Sequence, residues 1–146
     1  MPVIIVGADT ELGEAIARRL YDPRREVRVF VSDIDRGQEM KSAGFKVAFG
    51  DVSDDSHVEA AATRCFSAVL IAEASTDDRE RSFASSADQV LAGWAGAVAR
   101  SAVRRVIWVI DGPHPETSVE EVAVVDPSEP DVPGLVFQLD EVASLH

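Results

Sequence analysis

At 146 residues, 46% hydrophobic but only 6% aromatic, the chain has the size of one domain, residues 1–146, with a core of Val, Ile, Leu and Ala. Its formal net charge of -12 repels phosphate backbones and anionic lipid, so neither nucleic acid nor a membrane surface is an expected partner. A single cysteine, Cys65, excludes an internal disulfide and any Cys-based zinc spacing; it reads as a small buried hydrophobe in a reducing compartment.

Met1-Pro2 leads at once into Val3-Ile4-Ile5-Val6, with no basic segment ahead of it and no apolar run long enough to span a bilayer, so the expected location is cytoplasmic. That apolar run ends at Gly7, the pattern of a fully buried strand. Leu12, Ile16 and Leu20 then recur at helical spacing up to Asp22-Pro23. Residues 27–31 form the second expected strand, 34–43 a short helix stopped by Gly44, and 45–49 a third strand closed by Gly50-Asp51. Ser53-Asp54-Asp55 supplies a cap and an acidic first turn for a helix to about residue 64, followed by a strand at 68–72.

Residues 75–81 read as a polar loop, and the run Asp77-Asp78-Arg79-Glu80-Arg81 as a solvated face. Val90, Leu91, Trp94, Val98 and Ala102 mark a long helix, 85–102, before a fifth strand at 106–110. Beyond it the pattern weakens. Short strands are expected at 122–125 and 135–137 around the Pro-rich segment 126–130, with a last helical turn or two over 141–145. Strands alternating with helices predict a three-layer α/β/α fold, a mostly parallel sheet in the order 3-2-1-4-5, with a sixth strand as an addition.

The first strand, turn and helix read Val6-Gly7-Ala8-Asp9-Thr10-Glu11-Leu12-Gly13. A glycine after a buried strand, and another where the new helix packs on the sheet, aim a helix N-terminus at a pyrophosphate. With Val27-Arg28-Val29-Phe30-Val31, Gly50-Asp51-Val52 and the run from Ala99 to Ile107, this resembles an atypical short-chain dehydrogenase/reductase of the NmrA-like, NAD(P)H-binding kind. The resemblance implies a Rossmann domain that contacts a dinucleotide through Gly7, Thr10, Glu11, Leu12 and Gly13. Ser32 and Asp33 would lie at the ribose, Asp51 and Val52 at the adenine, and Ala72 at the end of the fourth strand.

The departures bear on function. Thr10 replaces the middle glycine of the family's Gly-x-x-Gly-x-x-Gly, and Asp9, Glu11 and Glu14 bring carboxylates beside the anion site. Thr10 as helix cap, with acidic residues complementing the dipole, accounts for the same pattern. A threonine hydroxyl can also donate to a phosphate. Ser32 stands where NADP-preferring members carry arginine, and Asp33 lies twenty residues past Gly13, which suits the ribose hydroxyls of NAD. A plain turn and cap at Ser32-Asp33 is the alternative. Weak NAD(H) binding, with NADP(H) disfavoured, is the expectation.

Short-chain dehydrogenases that reduce carbonyls use a Tyr-x-x-x-Lys pair after the fifth strand, but the only tyrosine here is Tyr21 and the only lysines are Lys41 and Lys46. His57, His114 and His146 make no metal spacing. Asp111 and His114, in the loop after the fifth strand, form either an acid–base couple or part of an exposed loop. Three readings remain: a non-catalytic binding module acting as sensor or regulator, a ligand-free partner subunit, and a minimal reductase. In the family the substrate pocket follows the fifth strand, and residues 111–146 leave room for little more than one strand and a short helix. Trp94 between Gly93 and Gly96 suggests a homodimer through helix 85–102, although burial of Trp94 in the chain's own core explains the same residues.

Overall fold

Short apolar runs such as Val3–Val6, and the apolar residues at 68–71 and 106–109, become strands buried on both faces. The computed structural model describes residues 2–76 and 86–145. Its elements alternate: β1 (Val3–Val6), α1 (Glu11–Leu20), β2 (Val27–Val31), α2 (Ile34–Ser42), β3 (Lys46–Phe49), α3 (Asp55–Ala61) and β4 (Ser67–Ile71). A 3-10 helix (Ala72–Thr76) follows, then α4 (Ala87–Arg100), β5 (Arg105–Val109), β6 (Glu121–Val125) and α5 (Val132–Glu141). The six strands are all parallel, in the order β3-β2-β1-β4-β5-β6. The expected three-layer α/β Rossmann-like fold is what forms, with the sixth strand present.

Side-chain alternation divides the core. Val3, Ile5, Val29, Val31, Val69, Ile71 and Ile107 face Ile16, Leu20, Met40 and Val136 of α1, α2 and α5. Ile4, Val6, Phe30, Leu70, Val106 and Trp108 face Val58 of α3 and Val90, Trp94 and Val98 of α4. Trp94 is completely buried, and its indole N–H donates to the Val52 carbonyl at 2.8 Å. Of the two accounts of Trp94, burial in the chain's own core is the one observed. A Cβ on Gly93 would meet the side chain of Asp55, so that glycine also serves packing within the chain.

Two expectations fail in the last quarter. Residues 135–137 are not a strand but the middle of α5, and the helix expected at 141–145 ends at Glu141 instead. Asp131 caps α5 by accepting from the Gly134 amide at 3.0 Å, Pro133 sits in its first turn, and Val132 and Val136 are buried. The run at 77–81, and the first residue of the helix expected from 85, lie outside the described residues.

The amino edge of the sheet is closed by charged groups. Arg105 is 1% exposed and pairs with Glu121 at 2.9 Å, while its other terminal nitrogen donates to the carbonyls of Leu139 and Asp140. Asp140 accepts from Arg25 and from the Ser67 hydroxyl, both at 2.7 Å. This ties α5 to the segment before β2 and to the start of β4.

Candidate functional site

In an open parallel sheet, ligands bind beyond the carboxyl ends of the strands where the strand order reverses, here between β1 and β4. The turn after β1 lies at that point. Gly7 has φ +92°, and a Cβ on it would lie 2.8 Å from the Ala74 Cβ of the 3-10 helix. Gly13 lies so close under the turn that a Cβ there would be 2.1 Å from the Gly7 carbonyl oxygen. Both glycines are therefore demanded by close approach, as the spacing predicts.

Thr10 closes this turn from inside. Its hydroxyl donates to the Gly7 carbonyl at 2.8 Å and accepts from the Gly13 amide at 3.0 Å, so it caps α1. Of the two roles read for Thr10, the cap is the one seen here, with the hydroxyl proton given to Gly7. The amides of Glu11 and Leu12, first in the helix, have no acceptor among the described residues and lie at the positive end of the dipole.

The carboxylates do not crowd one point. Asp9 turns away from the helix end, and its Oδ2 accepts from the Ser32 and Asp33 amides at 2.9 and 3.1 Å. Asp9 beside the pyrophosphate is thus corrected. Glu14 pairs with Arg18 at 3.2 Å and with Arg36 at 3.0 Å. Glu11 alone of the three stays exposed at the start of the helix, beside Glu73 in a cleft of about 480 Å³.

At the end of β2 the Ser32 hydroxyl donates to the Gly50 carbonyl at 3.0 Å. The Asp33 carboxylate caps α2 through the Arg36 amide at 3.2 Å, the plainer role weighed for it. After β3, Asp51 accepts from the backbone and side chain of Ser53, and the Asp51 amide donates to His57 Nδ1 at 3.2 Å. Val52 is buried, held under α4 by the Trp94 bond. Ala72 starts the 3-10 helix rather than ending β4.

Ala72 and Leu12 also line a neighbouring cleft of about 420 Å³ at the ends of β4 and β5, floored by Ile71, Val109 and Ile110. Glu73, Asp88 and Asp111 bring three carboxylates to its wall. Asp111 and His114 do not form a couple: His114 stacks on Trp108 and its Nδ1 lies 2.8 Å from the Pro115 carbonyl, which makes Nδ1 the protonated nitrogen. Sequence reasoning missed Glu73, Asp88 and Pro127. The first two were findable, as residues just past a buried strand and in the first turn of the next helix; Pro127 arrives from a distant loop with no local signal.

Tyr21 follows the far end of α1, packed edge-on to Phe45, and Lys46 begins β3 beside Glu26. Both lie at the sheet edge opposite the clefts. Cys65 is buried, and that burial pushes its thiol pKa up. No cluster of metal-ligating residues occurs among the described residues, and none of their helices is long and apolar enough to cross a membrane.

Residues 3–104 match the TrkA-N domain. The chain belongs to the TrkA-N domain family. That family is one of NAD(P)-binding Rossmann domains. Among solved structures, this TrkA-N chain is similar to the NADPH-dependent quinone oxidoreductase QOR2 of Escherichia coli in complex with NADPH, at 18% identity and TM-score 0.61 over 73% of this chain and 36% of that one. The triphenylmethane reductase of a Citrobacter species complexed with NADP(H) gives 16% identity and TM-score 0.62 over 73% and 36%. ChuY, an anaerobillin reductase of Escherichia coli O157:H7, gives 20% and 0.57 over 75% and 50%. These likenesses establish the fold, and the TrkA-N chain spans between about a third and a half of each neighbour's length. No curated protein matches it.

Proposed function

We propose that this chain is a cytoplasmic, non-catalytic dinucleotide-binding module, a short NmrA-like relative of the reductases, that acts as a sensor or regulator and takes NAD(H) in preference to NADP(H). The observation that carries the reading is the first turn. Gly7 and Gly13 bring strand, turn and helix into backbone contact, and α1 starts at the β1/β4 switch point with the amides of Glu11 and Leu12 without an acceptor among the described residues. A diphosphate fits that end of the site.

The nicotinamide ring supplies hydride chemistry when such a cofactor is bound. The chain's own residues orient and enclose. Leu12, Ile71 and Val109 give the adjoining cleft an apolar floor, and Thr10 holds the turn rigid. What the cleft lacks is a proton donor of the reductase type: residues 111–146 contain neither Tyr nor Lys, and Tyr21 and Lys46 lie at the opposite edge. The binding is weak because Glu11 and Glu73 place negative charge beside the helix N-terminus.

A second reading, a ligand-free partner subunit, is favoured by the same two carboxylates and by the internal use of Thr10. Calorimetric titration with NAD⁺ and NADP⁺, together with mass spectrometry of the natively purified protein, separates the two. NAD⁺ binding tighter than NADP⁺ is expected. Absence of binding by either promotes the partner subunit, and robust carbonyl reduction with NADH overturns the non-catalytic role.

A further inference from the structure

We infer that Asp9, rather than Asp33, is the residue that sets the site against an adenosine 2′-phosphate, because its carboxylate already fills an anion site made by the Ser32 and Asp33 amides. Two successive backbone N–H groups converge there on a single oxygen, Asp9 Oδ2, at 2.9 and 3.1 Å. Consecutive amides aimed at one point form a concavity that binds anions. The anion is supplied by the chain itself, from the first turn.

The other polar groups at this end of β2 are committed. The Ser32 hydroxyl donates to Gly50, and Asp33 Oδ1 caps α2 through the Arg36 amide. Arg36, the cation of that first helical turn, pairs with Glu14 at 3.0 Å. An incoming phosphate thus finds the two amides taken and the Arg36 guanidinium already paired with the Glu14 carboxylate, and it meets the charge of Asp9. The inference takes only the identity of its ligand from the dinucleotide reading, since the end of the second strand is where the adenosine ribose is read. A 2′-hydroxyl is a donor and can share the Asp9 carboxylate. A 2′-phosphate is an anion and has to displace it.

Deleting the carboxylate therefore acts twice, removing a like charge and vacating two donors. The test is calorimetric titration of the wild type, Asp9→Ala and Asp9→Asn with adenosine 5′-monophosphate and adenosine 2′,5′-bisphosphate, which differ only in the 2′-phosphate. The affinity ratio should move toward the bisphosphate by about tenfold in Asp9→Ala. Asp9→Asn keeps an acceptor oxygen over the amides but not the charge, and should move the ratio less and in the same direction. If Asp9→Ala fails to give a native circular dichroism spectrum, Asp9→Asn decides.

A shift below threefold in the folded variant overturns the inference, as does a larger shift from Asp33→Asn. Binding of neither nucleotide by any variant overturns it too, because vacated amides would then take no phosphate. If the wild type binds NAD⁺ and the ratio is unmoved, the dinucleotide reading stands and this inference falls. If the wild type binds no nucleotide but Asp9→Ala takes the bisphosphate, the inference stands and the dinucleotide reading falls.

Discussion

The three atoms nearest a methyl group on Gly13 would all be backbone: the Gly7 carbonyl oxygen at 2.1 Å, its carbon at 2.8 Å and the Ala8 Cα at 2.9 Å. No side chain can swing aside to admit it. Gly13→Ala is expected to push α1 off the turn and to destabilise by about 2–4 kcal/mol, read from urea unfolding. Thr10→Ala should cost about 1–2 kcal/mol, since both the cap and the bond to Gly7 are lost, whereas Thr10→Ser should retain most of both. These two roles are legible in the sequence because each acts within six residues. The role of Asp9 is not. Its partners lie 23 and 24 residues away, and only the pairing of β1 with β2 brings them together. A carboxylate beside a phosphate loop looks like a competitor for the helix end until the fold shows where it points.

At the scale of elements, the strand–helix alternation up to β5 follows from runs of apolar residues with punctuating glycines, and the boundaries hold to within a few residues. The segment 132–139 misleads because Leu135-Val136-Phe137 is short, continuous and preceded by Pro133-Gly134, which suits strand and helix alike. Tertiary contacts decide for the helix. Val132 and Val136 drop into the core beneath β5 and β6, Phe137 lies under the Arg19 guanidinium at 3.8 Å, and Asp140 reaches the charged cluster at the sheet edge. Removing that last anchor strands Arg25, whose side chain is 18% exposed. Asp140→Ala is therefore expected to cost about 3–5 kcal/mol and to loosen α5 first, visible as faster amide exchange over 132–141. On the other face, Trp94→Phe should keep the packing but leave the Val52 carbonyl without its donor, costing about 1–3 kcal/mol in the same unfolding assay.

For the whole molecule, charge governs the response to solvent. A net charge of -12 repels itself, so salt up to a few tenths molar should raise the unfolding temperature by screening. The pH response has two limbs. Asp22, Asp54 and Asp126 sit below the ordinary carboxylate range through hydrogen bonds from Arg24, Ser56 and Ser128 respectively. Glu26 joins them: burial pushes it up, but Arg28 and Lys46 outweigh that. With folded values below unfolded ones, the unfolded chain binds more protons, so this stabilisation is present above about pH 4 and lost as pH falls through the folded values. Cys65 runs the other way. Its thiol is raised by burial, so its contribution is present below about pH 8.5 and lost as pH rises through the folded value. Urea midpoints should therefore plateau near neutrality and fall on both sides, and Cys65→Ala should flatten the alkaline limb.

The packing of α5 on α1 also bears on how the chain matures during synthesis. The first helix emerges early, yet the apolar side chains that finish its outer face arrive only with residues 132–141, and Arg25 waits 115 residues for Asp140. A nascent chain paused after β5 has every strand needed to pair around β1 but presents a greasy, unsealed flank. Docking of α5 is then the step that covers this flank. A ribosome stalled before residue 132 should hold a chain that stays protease-sensitive in α1, and synthesis and emergence of residues 132–141 should protect α1 and α5 together.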